Sequence, residues 1–197
     1  MIKFHARTVK STSRRLLVAV VLSAGFFALS CRPSTASQEQ TSASSGDSTS
    51  LRSDTLQLVF AGDIMTHGPQ IRAAAQANGD YDFTSSFEAV RPLIAQADLA
   101  VGNLETTFGG SPYSGYPMFS SPEALAVALR YSGFDVLTTA NNHSCDRRAY
   151  GITHTIDVLD SLGIATTGSY RTLEERSKRT PLICSVRGVK LGNPLVP

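Results

Sequence analysis

Three apolar stretches of this chain break off into side chains that can hold a cation or move a proton. "LVFAGD" delivers Asp63, "LAVGNLE" delivers Asn103 and Glu105, and "VLTTANNHSCD" delivers Asn141, Asn142, His143 and Asp146. Carboxylate, amide and imidazole together suit a divalent metal of the Mn, Fe or Zn kind. A carboxyl or an imidazole in such a place can also act as general acid or base. Plainer roles compete, because Asn and Asp also bond to their own main chain in turns. Asp63 could cap a helix, Asn103 could turn the chain and Glu105 could be a solvated loop acid, while Asn141 reads as structural. His143 is the strongest candidate, since a polar ring just past a buried strand is poorly explained as core. His67, four residues after Asp63, could face the same place, whereas His154 is expected on the surface of a later helix.

Residues some forty positions apart can meet only if the strands that carry them end side by side. The pattern predicts such strands. "LQLVFAGD" reads as a buried strand, followed by a helix from about Pro69 to Ala77. "SSFEAVRPLIAQAD" has Ser85 and Glu88 in capping-box spacing, with Pro92 arguing for a kink or a late start. "LAVGNLE" is the second strand, and the Gly-, Pro- and Ser-rich "FGGSPYSGYPMFSS" is a long loop. Within it, Tyr116 and Phe119 either line a groove or pin the loop down. Ser121 and Pro122 are expected as N-cap and first residue of a third helix, with Leu125, Ala128 and Leu129 inward and Gly133 at its end. "FDVLTTA" is the third strand. A fourth helix carries Ile152, Ile156, Leu159 and Leu162 and stops at Gly163; "IATTG" is a short strand. "EERSKR" reads as a solvated face, and "PLICSVRGVKLG" as a hairpin turning at Arg187-Gly188. The order βαβαβαβ plus a hairpin implies an α/β fold with a largely parallel sheet. In such sheets, ligands bind just outside the carboxyl ends of the strands, where all three polar tips would lie.

The chain has 197 residues, of which 42% are hydrophobic, enough for one packed domain. Its net charge of +2 is misleading. Lys3, Arg7, Lys10, Arg14 and Arg15 precede every acidic residue; without those five, 13 of the 18 basic residues face 16 acidic ones. No basic footprint for nucleic acid remains. Residues 1–31 read as an export signal, with a basic start, an apolar run from Leu16 to Leu29 and "ALSC" ending at Cys31. That ending resembles a bacterial lipoprotein lipobox, which implies lipidation of Cys31 and a lipid anchor in the membrane. Residues 32–54 are Ser/Thr-rich and read as a flexible tether, leaving 55–197 as the folded domain. Beyond Cys31 there are Cys145, read as packing, and Cys184; outside the cytoplasm they could pair.

"AGDIM", "NLET" and "ANNHSCD", in this order and spacing, resemble the bacterial CapA family of capsule or poly-γ-glutamate synthesis proteins. The resemblance runs from about Leu56 to Leu191. It implies part of a metallophosphoesterase-like α/β/β/α sandwich and a divalent metal. It implies Asp63, Asn103, Asn142 and His143 as metal ligands, and Glu105 and His143 as the proton-handling pair. Asp146 is implied as orienter of His143, and His67 as a supporting neighbour. CapA-like domains continue beyond "VKLGNPLVP" with further histidine ligands, so the chain is expected to be the N-terminal part, with an incomplete set for a second metal. The expected activity is metal-assisted hydrolysis at the cell envelope, facing the periplasm or the extracellular side. Capsule polymer or its synthesis machinery is the expected partner. The alternatives are a non-catalytic polymer-binding or assembly factor, and an inactive fragment.

Overall fold

In the computed structural model, residues 55–193 are described. The expected signal and lipobox segment 1–31, including Cys31, and the tether, 32–54, lie outside them. Four strands form one sheet in the order β1 (Leu58–Ile64), β2 (Leu99–Leu104), β3 (Val136–Thr138), β4 (Ala165–Thr167), all parallel. Helices α1 (Gly68–Ala74), α2 (Arg91–Ala95), α3 (Ala124–Ser132) and α4 (Arg148–Ser161) lie between them in the chain. Then come α5 (Leu173–Arg179) and the antiparallel hairpin β5 (Leu182–Val186) and β6 (Val189–Asn193).

Alternation along the strands builds two cores. Ala100, Leu104 and Leu137 point to one face, where Ala74, Ile94, Leu125, Leu129 and Leu159 from α1 to α4 meet them. Leu99, Val101, Val136 and Ala165 point to the other, where Leu182 and Cys184 of the hairpin cover them. Successive strand residues face opposite ways, so one short strand can serve both layers. The result is a mixed α/β fold with helices on one face of a parallel sheet and the beginning of a second sheet on the other. Gly102 is required on the helical face, where an added Cβ would lie 2.7 Å from Ile64 Cδ1 and 3.0 Å from Phe134. The hairpin leaves β1 open on its own side. Phe60 is 71% exposed there, beside a cleft of about 300 Å³.

Several expectations are corrected. The Ser85–Glu88 capping box does not form. Thr84–Ser86 is a single 3-10 turn, and α2 starts only at Arg91, so Pro92 sets the late start. Glu123, not Ser121, precedes α3, because the Ser121 hydroxyl bonds Thr66 and Thr106 instead. All of "EERSKR" lies in helix α5, capped by the Thr172 hydroxyl on Glu175 N–H, and that helix buries no residue, so the solvated face is as expected and only its helical form is new. Cys145 is exposed rather than packed, and it and buried Cys184 are both free thiols. The backbone turns at Asn141–Ser144, His143–Asp146 and Cys145–Arg148 put Cys145 on the outside of the corner.

At the start of β3, the Asp135 carboxylate accepts the Ala100 N–H at 2.9 Å and ties β2 to β3. Burial pushes its pKa up, against the pull of that hydrogen bond and of Arg130. A raised folded-state pKa means the stability it contributes is present at low pH and is lost as pH rises through that value. Asp135→Asn keeps an acceptor and removes the buried charge. It should melt a few degrees above the parent at pH 7, the gap closing toward pH 4. Thermal melts across that range would refute this if the variant were the less stable at neutral pH.

Candidate functional site

The polar tips are brought together by a bulge. Ala61 pairs with Gly102, but Asp63 pairs with Asn103, leaving Gly62 as the extra residue. In regular register Asp63 would sit opposite Leu104 and face the other way; a bulge re-aims the side chain. Asn103 then donates its amide to Asp63 Oδ1 at 2.7 Å, while its own oxygen accepts from Thr138 at 3.1 Å and Asn141 at 3.2 Å. Asn141 also donates to the Leu104 carbonyl at 2.8 Å and accepts the His143 N–H at 3.0 Å. One residue of the corner after β3 thus grips the ends of β2 and the backbone of His143.

His143 is oriented from behind. Its Nδ1 lies 2.8 Å from Asp146 Oδ2, so an ionised Asp146 assigns the ring hydrogen to Nδ1 and leaves the Nε2 lone pair free. That Nε2 stands 4.0 Å from Glu105 Oε1, and both side chains are 12% exposed. Burial holds the Glu105 carboxyl above the usual range, and the neighbouring Asp63 carboxyl raises it further, while His143 pulls it down. The ring of Phe119 fills the remaining side, edge-on to His143 at 4.6 Å and to His67 at 5.2 Å.

Asp63, Asn103, Glu105, His143 and Asp146 are therefore neighbours in one network, and His67 joins it through Phe119. Asn142 is exposed. His154 lies apart on α4, 3.1 Å from Glu123. Asn141, read from the sequence as structural, is the residue that organises the corner, through partners its type alone did not name. Equally unforeseen is the buried hydroxyl chain Thr66–Ser121–Thr106, at 2.5 and 2.9 Å, which locks the loops behind the site. A run of Ser and Thr carries no period by which to find it.

The donor chemistry fits a divalent cation. Two carboxyls face each other at Asp63 and Glu105, and an imidazole lone pair faces the second. Among the described residues, however, no three His, Cys, Asp or Glu groups stand in position to hold an ion together. The Asn103 oxygen is already taken by two donors, so this residue orients Asp63 in the arrangement seen. No helix among the described residues is long and apolar enough to cross a membrane.

Two curated relatives, both from Sinorhizobium fredii, are the Uncharacterized protein y4uA and the Uncharacterized protein y4sH. Each is 32% identical over 124 residues, 58% of this chain and 25% of the relative. The chain thus spans about a quarter of the length of the curated relatives it matches. A family model described as "Bacterial capsule synthesis protein PGA_cap" matches residues 57–194, nearly the whole described domain and all three polar tips. The chain belongs to this bacterial capsule synthesis family, as its strand-end motifs implied.

Proposed function

We propose that the chain carries a metal-dependent phosphoester-hydrolysing site used in capsule or poly-γ-glutamate synthesis at the cell envelope. The observation that carries this reading is the facing of Glu105 and Asp63 beside the free Nε2 of His143. Asp63 and His143 would hold the ion, with Asn103 fixing the direction of Asp63 and Asn142 available from the exposed rim. When bound, a divalent ion supplies hydroxide near neutral pH and draws charge from a phosphoryl oxygen. Glu105, kept protonated longer than an exposed carboxyl, can give a proton to a leaving oxygen. Asp146 holds His143 in the tautomer that leaves Nε2 open. Lipidation at Cys31 and the tether 32–54 would keep the domain at the membrane, a reading supported by the basic start and the apolar run before Cys31.

A second reading, a non-catalytic polymer-binding or assembly domain, is favoured by the lack of three converged ligands among the described residues. Calorimetric titration with Mn²⁺, paired with hydrolysis of bis(p-nitrophenyl) phosphate, separates the two. Hydrolysis should depend on added metal, and Asp63→Asn and His143→Ala should each weaken binding roughly tenfold or more. A cooperatively melting chain that takes up no Mn²⁺, Fe²⁺ or Zn²⁺ and leaves the diester intact rules out hydrolysis and favours polymer binding.

A further inference from the structure

The loop Gly109–Ser121, called the strap below, reaches the site through one residue. Phe119 is buried, 1% exposed, in a segment whose crest residues Tyr116 and Met118 are 74% and 51% exposed. Its N–H donates to Asp146 Oδ2 at 2.6 Å, the same oxygen that takes His143 Nδ1 at 2.8 Å. Its carbonyl accepts the Thr107 hydroxyl at 2.9 Å, and its ring stands edge-on between His143 and His67. The strap is held elsewhere too. Arg147 bonds Pro112 O and Ser114 Oγ, and Gly115 passes so close to His67 that an added Cβ would lie 2.9 Å from its Cα.

We infer that Phe119 is a positioning residue, coupling the strap to His143 through the shared Asp146 oxygen and the ring wall. This rests on the reading of His143 as a working residue of the site. Asp146 accepts two hydrogen bonds on one oxygen, each strengthened by the carboxylate charge. Lifting the strap removes one of these bonds and the aromatic wall in a single movement. Asp146, no longer fixed from the strap side, and the unwalled imidazole are then both free to turn. A ligand that presses on the exposed Tyr116 and Met118 acts on the same strap, so contact at the crest is carried to the aim of Nε2. A purely packing role for Phe119 would leave the tautomer of His143 unchanged when the ring is replaced by another apolar side chain.

The test is NMR on the full chain labelled with ¹⁵N-histidine, at pH 8 and without metal. The parent should show His143 as a single Nδ1–H tautomer with a slowly exchanging ring proton. Phe119→Leu, which keeps the N–H and most of the buried volume, should speed that exchange at least tenfold and populate both tautomers. Thr107→Val removes the grip on the Phe119 carbonyl at constant shape; it should speed exchange several-fold and serves if the first variant does not fold. Leu125→Ala, a cavity in the helix-side core to which Phe119 does not belong, should melt lower yet keep the parental tautomer. Parental tautomer and exchange in the folded Phe119→Leu and Thr107→Val variants overturn the inference. Because hydrolysis is not the readout, the coupling can fail while the proposed activity stands, and the reverse.

Discussion

Gly168→Ala should destabilise the domain by roughly 3–5 kcal/mol, combining backbone strain with overpacking. Gly168 follows β4 with φ at +117°, where an L side chain is strained, and its Cβ would stand 2.5 Å from Ala140 N and 2.8 Å from Ala140 Cβ. The neighbour cannot give way cheaply. The Thr139 N–H donates to the Thr167 carbonyl, its hydroxyl accepts the Ser169 N–H and its carbonyl accepts the Ser144 hydroxyl, so hydrogen bonds hold this backbone from both sides. Ala140 directly precedes Asn141, so any shift is delivered to the corner that carries His143. Gly163→Ala is the matched control. It also has positive φ, at +68°, but its Cβ would meet nothing within 4 Å, and about 1 kcal/mol is expected. Urea unfolding of the two variants side by side checks this; equal losses would mean that the close approach to Ala140 has no energetic consequence.

The parallel strands were legible because each is a short apolar run closed by a polar tip, and the helices between them because Leu125, Ala128 and Leu129 or Ile156 and Leu159 keep one face. Gly133, Gly163 and the Arg187-Gly188 turn were legible for the same local reason: positive φ selects for glycine, and both Arg187 and Gly188 adopt it. Helix α2 was misjudged because a capping pattern at Ser85 competes with Pro92, and proline wins by fixing where a helix can begin. Helix α5 was missed although Thr172 and Glu175 form a capping pair, since its seven residues bury nothing and so carry no periodic signal. The site divides likewise. Asp63, Asn103 and His143 stand out by type at strand ends. Phe119 reads only as groove lining or loop pin and Ser121 only as an N-cap, because their roles depend on a loop that returns to the site from a distance, and no spacing rule encodes that return. Asn141 was assigned a structural role from its sequence, but its reach to Leu104 and Asn103 is a property of the β2–β3 register alone.

Asn141→Ala should cost about 2–3 kcal/mol, since it strips hydrogen bonds from several partners at once, each worth about 1 kcal/mol net. It leaves the Leu104 carbonyl, the Asn103 oxygen and the His143 N–H without the side chain that met them. With that grip gone, the Asn103 amide loses one of the two donors that hold its oxygen and becomes free to rotate away from Asp63. Stability and site order should therefore fall together, which a variant in the core alone would not produce. The isosteric Asn141→Asp sharpens the test through pH. An ionised carboxylate in place of the amide cannot donate and would aim its charge at two oxygens, Leu104 O and Asn103 Oδ1. Its folded-state pKa must rise above the unfolded one, so its stability is preserved in acid and lost as pH climbs through the raised value. Asn141→Asp should approach the parent near pH 4, where a protonated carboxyl donates again, and fall to the level of Asn141→Ala at pH 7. A variant equally stable at both pH values, measured against the parent at each, would show that the amide protons of Asn141 do not hold the ends of β2 and β3 together.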